Sequence, residues 1–414
     1  MRILLLTQYF PPEVGGPQVR LGAMCRELLD RGHEVEVVTA MPNYPDGEIK
    51  SEYEGKFYVR DNYEGITVHR LWLYASKGAG VKRILTFLSF AVTSLVGFFE
   101  SKRPDYIFTS SPPLFLGIPS VLISKLWGGA LIFNVADLWP DSARELDLVT
   151  NEMLLSLGEV LEKWVYRNSN FVCAVTEGIR DTLKEEKQVS EEKLLFLPNG
   201  VDTDTFGPQP YDHSLAENLG VEDKWTILYA GTHGYAHGLD VALDTADRLR
   251  SEDVHFLLVG GGSEKDRLVR RAEELGLSNL TFLDPVSPET VGQLYSIADA
   301  GLSTLRESTL FEGTRPAKVL AAMSTGTPVL YSGHGEGARM VKDVGAGLVT
   351  PPQDVEALSD AISHLRRNPK EAEEMGNKGR DFVMEHYSWK VLIGEWLEQL
   401  NRKTQGDQIW STAL

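Results

Sequence analysis

Strand-length apolar runs alternate with helix-length amphipathic runs along nearly all of the 414 residues, and this alternation constrains the fold more than any other feature. A strand, helix, strand series dictates a parallel sheet with right-handed crossovers. Residues 3–7 read as a first strand, 18–31 as a helix and 34–39 as a second strand. Further strands are expected at 67–73, 106–109, 131–135, 171–175 and 194–197, with helices at 116–127, 151–167 and 179–187 and a polar loop over 44–63. Turn residues fill 199–210, which reads as a linker. A second series then gives strands at 226–229, 255–259, 280–283, 300–303, 329–331 and 347–350. Helices at 239–250, 264–275, 289–297 and 355–366 lie between them, and two long helices, 370–385 and 389–401, follow. The expectation is an α/β protein of two Rossmann-like, doubly wound domains: residues 1–200, onto which 386–414 packs back, and residues 201–385.

Chain length supports that division, because one hydrophobic core rarely organises 414 residues. A net charge of −18 argues against a nucleic-acid partner, since phosphate backbones are held by excess Lys and Arg. Cys25 and Cys173 sit among apolar neighbours without metal-ligand spacing, as buried thiols of a reducing cytoplasm do. The opening MRILLLTQYFPP reads as a buried strand rather than a leader. No Walker A, H-E-x-x-H or G-x-S-x-G pattern occurs, so NTPase, zincin and α/β-hydrolase chemistries have no motif behind them, and no cofactor is expected.

Five stretches invite a chemical reading. In YFPPEVGGPQ, Gly15 and Gly16 either let the backbone approach a ligand beyond a strand end or make a flexible loop. In AGTHGYAHG, Gly231 and Gly234 permit amide approach to a diphosphate while His233 and His237 offer ring donors. VGGGSEKDRL lacks the G-x-G-x-x-G spacing and reads as a tight strand-to-helix turn. Residues 311–329 read as a phosphate-binding helix, with Pro316 in its first turn and Arg315 and Lys318 at its positive end; a surface helix with two solvated cations is the competing reading. Asp137 and Asp141 bracket Trp139 and Pro140 where a buried strand ends, as ligand groups or as turn and cap residues.

Residues 84–99 carry no charge and are bracketed by Lys82, Arg83, Lys102 and Arg103. As a helix this run rises roughly 24 Å, short of the ~30 Å hydrocarbon core. It is either a buried core helix or one lying in a membrane interface, with Lys82, Arg83, Ile84, Phe87 and Phe90 as its contacts.

The ordered set GGPQVRLGAMCRELLDRGHEVEVVT, LPNGVDTDTF, LYAGTHGYAHGLD, LLVGGGSEKDRL, LDPVSPETVGQLYSIADAGLSTL and AAMSTGTPVL resembles the retaining glycosyltransferases of family 4. SSPPLF, NVADLWPDS and GTRPAKVL further resemble the subgroup of N-acetylfucosamine transferases of bacterial surface-polysaccharide assembly. The resemblance implies a GT-B fold, two domains facing across a cleft, and a metal-independent, retaining transfer from a UDP-sugar to a lipid-diphosphate-linked acceptor. It implies a cytoplasmic protein, peripheral at the inner face of the membrane. It places the nucleotide mainly on the C-terminal domain, near Asn199, Thr232, His233, Gly234, Leu320 and Ala321, with Thr314, Arg315 and Lys318 at the diphosphate and Gly15 and Gly16 approaching from the N-terminal domain. Asp137 or Glu312 would stabilise the sugar cation or accept the acceptor proton.

This chain departs from the family pattern in three places. The usual Arg and Lys after the first C-domain strand fall at Thr232 and His237, and a common N-domain histidine is matched by Asp137. Of two glutamates with seven residues between them, the second falls at Ala321 and the first at Gly313, with Glu312 one residue off. Losing the acceptor of the ribose hydroxyls is expected to weaken donor binding by about 1.5–3 kcal/mol, unless Glu336 substitutes. A catalytically weakened nucleotide-sugar-binding subunit is therefore the competing reading. A Rossmann-type nucleotide-sugar-modifying enzyme is disfavoured by the missing dinucleotide fingerprint.

Overall fold

The alternating runs fold as two α/β units in the computed structural model, which describes residues 1–13, 15–44, 46–76, 81–145, 151–308 and 316–411. Unit 1 comprises Met1–Pro198 with Leu392–Leu414, and unit 2 comprises Asn199–Val391.

The strands of unit 1 are β1 (Arg2–Leu6), β2 (Glu34–Ala40), β3 (Tyr58–Tyr63), β4 (Ile66–Leu71), β5 (Tyr106–Ser111), β6 (Ala130–Val135), β7 (Phe171–Ala174) and β8 (Leu194–Phe196). Its helices are α1 (Gly16–Asp30), α2 (Val81–Glu100), α3 (Gly117–Trp127), α4 (Asp141–Glu145), α5 (Glu152–Asn168) and α6 (Glu177–Glu185). The sheet order is β3-β4-β2-β1-β5-β6-β7-β8. All pairings are parallel except β3 with β4. That hairpin corrects the expected loop over 44–63. Glu64 and Gly65, both at positive φ, make its two-residue turn, and edge exposure lets β3 carry Arg60, Asp61 and Asn62 without an apolar run. On one face, Leu4, Leu6, Val38 and Leu71 bury Phe90 and Phe98 of α2.

Unit 2 carries β9 (Trp225–Ala230), β10 (Val254–Val259), β11 (Leu280–Leu283), β12 (Ala300–Thr304), β13 (Val329–Ser332) and β14 (Gly347–Thr350), in the order β11-β10-β9-β12-β13-β14, all parallel. Its helices are α7 (His213–Leu219), α8 (Asp240–Arg248), α9 (Lys265–Leu275), α10 (Pro288–Tyr295), α11 (Ala317–Ser324), α12 (Glu336–Val344), α13 (Val355–Arg367) and α14 (Pro369–His386). The last helix, α15 (Trp389–Ser411), begins in unit 2 and runs into unit 1. There Trp396 packs edge-on to Phe108, and Gln399 exchanges two hydrogen bonds with the Phe196 backbone, at 3.0 and 3.2 Å, sealing the β8 edge.

Strand order reverses direction between β1 and β5 in unit 1 and between β9 and β12 in unit 2. Open α/β sheets take ligands beyond the strand C-termini at such switch points. The loops leaving β1, β5, β9 and β12 are therefore where the candidate residues must be sought.

Candidate active site

In unit 2, β9 runs straight into Gly231, where a β-carbon would lie 2.8 Å from Lys318 Cε. Glycine leaves the space that this lysine occupies. Lys318, second residue of α11, holds Nζ 4.7 Å from the Tyr229 ring centroid. Burial pulls its ammonium down to about 8, and among the described residues no carboxylate pairs with it. A cation at a helix N-terminus, facing an aromatic ring and lacking a counter-charge, is suited to an anionic ligand. Pro316 is the N-cap, at φ −64° and ψ 129°, and not a first-turn residue as expected.

Two histidines flank the lysine. His233 is fully buried between the rings of Tyr229 and Phe282, and neither ring nitrogen has a hydrogen-bond partner among the described residues. Burial first, then Lys265 and Lys318, pull its pKa down to about 4; burial and Lys318 pull His237 down to about 3. Both rings are neutral at pH 7, each keeping one N–H to donate. The loop itself is clamped by the glycine turn after β10: His233 N–H donates to the Gly261 carbonyl at 2.8 Å, and Glu264 N–H donates to that of His233 at 2.9 Å. Gly260, at φ +139°, has room for no side chain, since a β-carbon would fall 2.0 Å from the Gly231 carbonyl oxygen. That turn is structural, as its spacing suggested.

A carboxylate the sequence reading missed steadies the same loop. Asp240 takes Arg267 in a bidentate pair at 2.9 and 2.8 Å, with Arg271 at 2.5 Å and Arg306 at 3.3 Å. Arg306 also donates to the Tyr235 carbonyl at 2.8 Å and stacks 4.3 Å from its ring centroid, so its charge is committed to the protein.

The other donor-side candidates separate. Thr232 is exposed and its carbonyl accepts from Tyr229 Oη at 2.7 Å; Gly234 caps the short 3-10 turn after it. Asn199 is partly exposed at the start of unit 2. Leu320 is corrected: its side chain is fully buried among core residues and cannot touch a ligand. Ala321, 8 % exposed, joins the same core. A β-carbon on Gly337 would lie 3.1 Å from Pro316 Cδ, so the first turn of α12, with Glu336, meets the start of α11. Glu336 also lines a groove of ≈ 600 Å³ with Arg339, Lys378 and Phe382 that holds none of the other candidates. Glu312, Thr314 and Arg315 lie outside the described residues.

In unit 1 the two aspartates after β6 divide their work. Asp141 accepts from Lys187 Nζ at 2.6 Å, which also reaches buried Glu162 at 2.9 Å; Tyr166 donates to Glu162 at 3.0 Å. This network pins the turn to α5. Asp137 stays solvent-accessible and accepts from Ser142 Oγ at 3.0 Å. Desolvation, with Asp141 adding, pushes its carboxyl up against the pull of Ser142. Gly15 is the N-cap of α1, where a β-carbon would lie 2.5 Å from Gln18 Oε1, and Gly16 opens the helix with space around it. Buried Glu13, also missed, accepts the amides of Asn43 and Tyr44 at 2.6 and 2.7 Å and so ties the β1 and β2 exits together.

On the surface of unit 1, Lys82 and Arg83 are exposed and Ile84 and Phe87 half-buried, but Phe90 is corrected: it is fully buried beneath α2. The outward stripe is instead Leu85, Leu88, Val92 and Phe99. It continues onto α3 with Ile118, Leu122 and Leu126, and onto α5 with Met153, Leu154, Leu157, Val160 and Trp164. These twelve are a majority of the exposed large apolar side chains among the described residues. Among the described residues no group of three or more His, Cys, Asp or Glu is placed to hold a metal ion.

Comparison with known proteins agrees with this architecture. The family described as glycosyl transferase 4-like domain matches residues 15–200, and that described as glycosyl transferases group 1 matches 213–382. A protein of Escherichia coli K12 named as the colanic acid biosynthesis glycosyl transferase WcaI is 30% identical over 89% of this chain and 93% of its own. A GDP-mannose-dependent phosphatidylinositol monomannoside mannosyltransferase of Mycolicibacterium smegmatis is 26% identical over 98% of this chain and all of its own. Among solved structures, Anabaena HepE in complex with UDP-glucose superposes with a TM-score of 0.71 at 17% identity, covering 97% of this chain and 100% of that one. Sucrose-phosphate synthase of Thermosynechococcus elongatus gives 0.74 at 19%, covering 98% and 99%. With two doubly wound units of the GT-B fold and both family profiles in register, the chain belongs to the group 1, family 4-like glycosyltransferases.

Proposed function

We propose that this glycosyltransferase moves an N-acetylated deoxyhexosamine, with retention and without a metal ion, from a UDP-sugar to a lipid-diphosphate-linked acceptor in surface-polysaccharide assembly. The observation that carries the reading is Lys318, held in the gap left by Gly231 with no counter-charge among the described residues. Cleaving the sugar–phosphate bond leaves negative charge on the diphosphate, and a fixed cation aimed at it lowers the barrier. Arg315 is assigned as the second cation. Neutral His233 and His237 add hydrogen bonds without charge, and Asp137 is assigned as stabiliser of the sugar cation or proton acceptor. UDP-glucose in HepE favours uridine, whereas the GDP-mannose-dependent mycobacterial relative makes guanosine the competitor.

The acceptor is assigned to a membrane, with the protein peripheral on its cytoplasmic side. The apolar α2, α3 and α5 stripes support this, because scattered single apolar residues are ordinary but contiguous patches mark partners. Exposed Lys82, Arg83, Lys102, Arg103, Lys125, Lys163 and Arg167 flank those stripes in a chain of net charge −18, as anionic head groups require. Thermal shift with UDP-, GDP- and dTDP-sugars, followed by transfer of labelled sugar to a polyprenyl-diphosphate acceptor, tests the whole reading. Stabilisation by GDP-sugars alone would overturn the uridine assignment, and binding without transfer would overturn the reaction.

Binding without transfer is what the second reading, a weakened subunit, requires, and Ala321 is the observation behind it. Ala321→Glu is expected to tighten UDP by about tenfold, from a restored charged hydrogen bond worth roughly 1.5–3 kcal/mol less the cost of part-burying it. Unchanged affinity in isothermal titration would overturn the idea that the missing glutamate weakens donor binding.

A further inference from the structure

Arg20 lies in the second turn of α1, 8 % exposed, with its guanidinium turned to the sheet. Its Nη2 donates to Asn134 Oδ1 at 3.1 Å, while its Nε and Asn134 Nδ2 have no partner among the described residues. Among the described residues no carboxylate pairs with it. The titratable neighbour is the buried Cys173 thiol, pushed up to about 12, and burial pulls Arg20 itself down to about 10. A buried guanidinium with only an amide and a thiol for company is destabilising, and an apolar side chain would pack there more favourably. Its location suggests what the charge is for. Asn134 is the penultimate residue of β6, and Gln8 stands two residues past β1, so both mark the C-terminal edge at the switch point. Both amide atoms of Gln8 and Gln18 Oε1 are likewise buried without partners among the described residues.

We propose that Arg20 and Asn134 form an oxyanion subsite of unit 1 that takes a phosphate group, in addition to the cation that Lys318 supplies in unit 2. A phosphate provides the missing counter-charge for Arg20 and acceptor oxygens for Arg20 Nε and Asn134 Nδ2. Assigning that phosphate to the acceptor rests on the reaction proposed above; the subsite does not.

The test uses the full chain and inorganic pyrophosphate as the probe, read by thermal unfolding. In a Lys318→Met background pyrophosphate still raises Tm, and adding Arg20→Gln or Asn134→Asp removes the rise. Asn134→Asp is the decisive variant, because it gives Arg20 an internal counter-ion. Its apo Tm is at or above that of the parent, whereas a merely structural Arg20–Asn134 contact predicts an undiminished pyrophosphate shift in all variants. That undiminished shift, or no shift in the Lys318→Met parent, overturns the subsite. With transfer activity in hand, Arg20→Gln raises the acceptor KM at least tenfold and leaves the donor KM unchanged. A rise in donor KM instead assigns the phosphate to the nucleotide. Absence of transfer in the unmutated chain fails the proposed reaction while leaving the pyrophosphate result standing.

Discussion

The two units share a doubly wound plan but present opposite outer surfaces. In unit 1, the helices α2, α3 and α5 turn rows of Leu, Val, Met, Phe and Trp to the outside; among the described residues of unit 2, the exposed large apolar ones are Tyr211, Tyr235 and Met384. The unit 2 helices α8, α9 and α13 carry ion pairs outside instead, such as Arg271 with Asp244 and Arg366 with Glu252. Because both sheets bury apolar cores on their inner helix faces, the difference is not a requirement of folding. It is what the proposed division of labour requires, in which the charged donor is assigned to unit 2 and an apolar surface to unit 1.

That division is sharpened most by removing the donor's cation. Lys318→Met is expected to lower kcat/KM by about 10²–10³-fold, the range of losing one fixed group that stabilises transition-state charge. Cosedimentation with anionic vesicles should be untouched. If vesicle binding fell with activity, the two units would not be separable in this way. A smaller effect, roughly 30- to 100-fold, is expected on the other side: Leu157→Glu with Val160→Glu deletes two apolar anchors of α5 and adds two charges facing anionic lipid. Here vesicle binding is lost while UDP affinity and Tm hold, because both side chains are already in solvent, Val160 at 66 % exposure. Vesicle binding that survives the double substitution would remove α5 from the docking face.

Much of this was legible in the chain, and the gaps have physical causes. Parallel strands buried on both faces read as continuous apolar runs, so β1, β6 and β10 stand out. The edge strand β3 does not, since pairing on one side and solvent on the other remove the apolar signature. The helix α2 was visible from its uncharged run, but not which residues face out. Its composition is apolar all round, so Phe90 and Val92 look alike in sequence although one is buried and the other 68 % exposed. For α5 the outward row of Met153, Leu157, Val160 and Trp164 merges with the inward row of Leu155 and Val165, and an ordinary core helix is what such a sequence suggests. Candidate site residues were legible where chemistry needs a special backbone, as at Gly231 beside Lys318. Glu13 and Arg20 were not, because a charged residue near a turn or on a helix looks solvated until long-range packing buries it.

The smallest effect concerns protons, and it distinguishes the units by pH alone. Burial lowers the folded-state pKa of Lys318 to about 8 from 10.5. Between those values the unfolded chain binds more protons than the folded one, so this group makes stability rise with pH there, modestly because the side chain is partly exposed. Donor binding runs the other way. A diphosphate selects the charged ammonium, whose population falls from most of the molecules at pH 7 to about a tenth at pH 9. UDP affinity should therefore drop about tenfold across that interval in titration calorimetry, while anionic-vesicle binding through unit 1, which does not use Lys318, remains flat. Lys318→Arg should hold UDP affinity level over the same range, since a guanidinium keeps its proton. A wild-type profile as flat as that of the arginine variant would show that Lys318 is not the titrating cation at the donor.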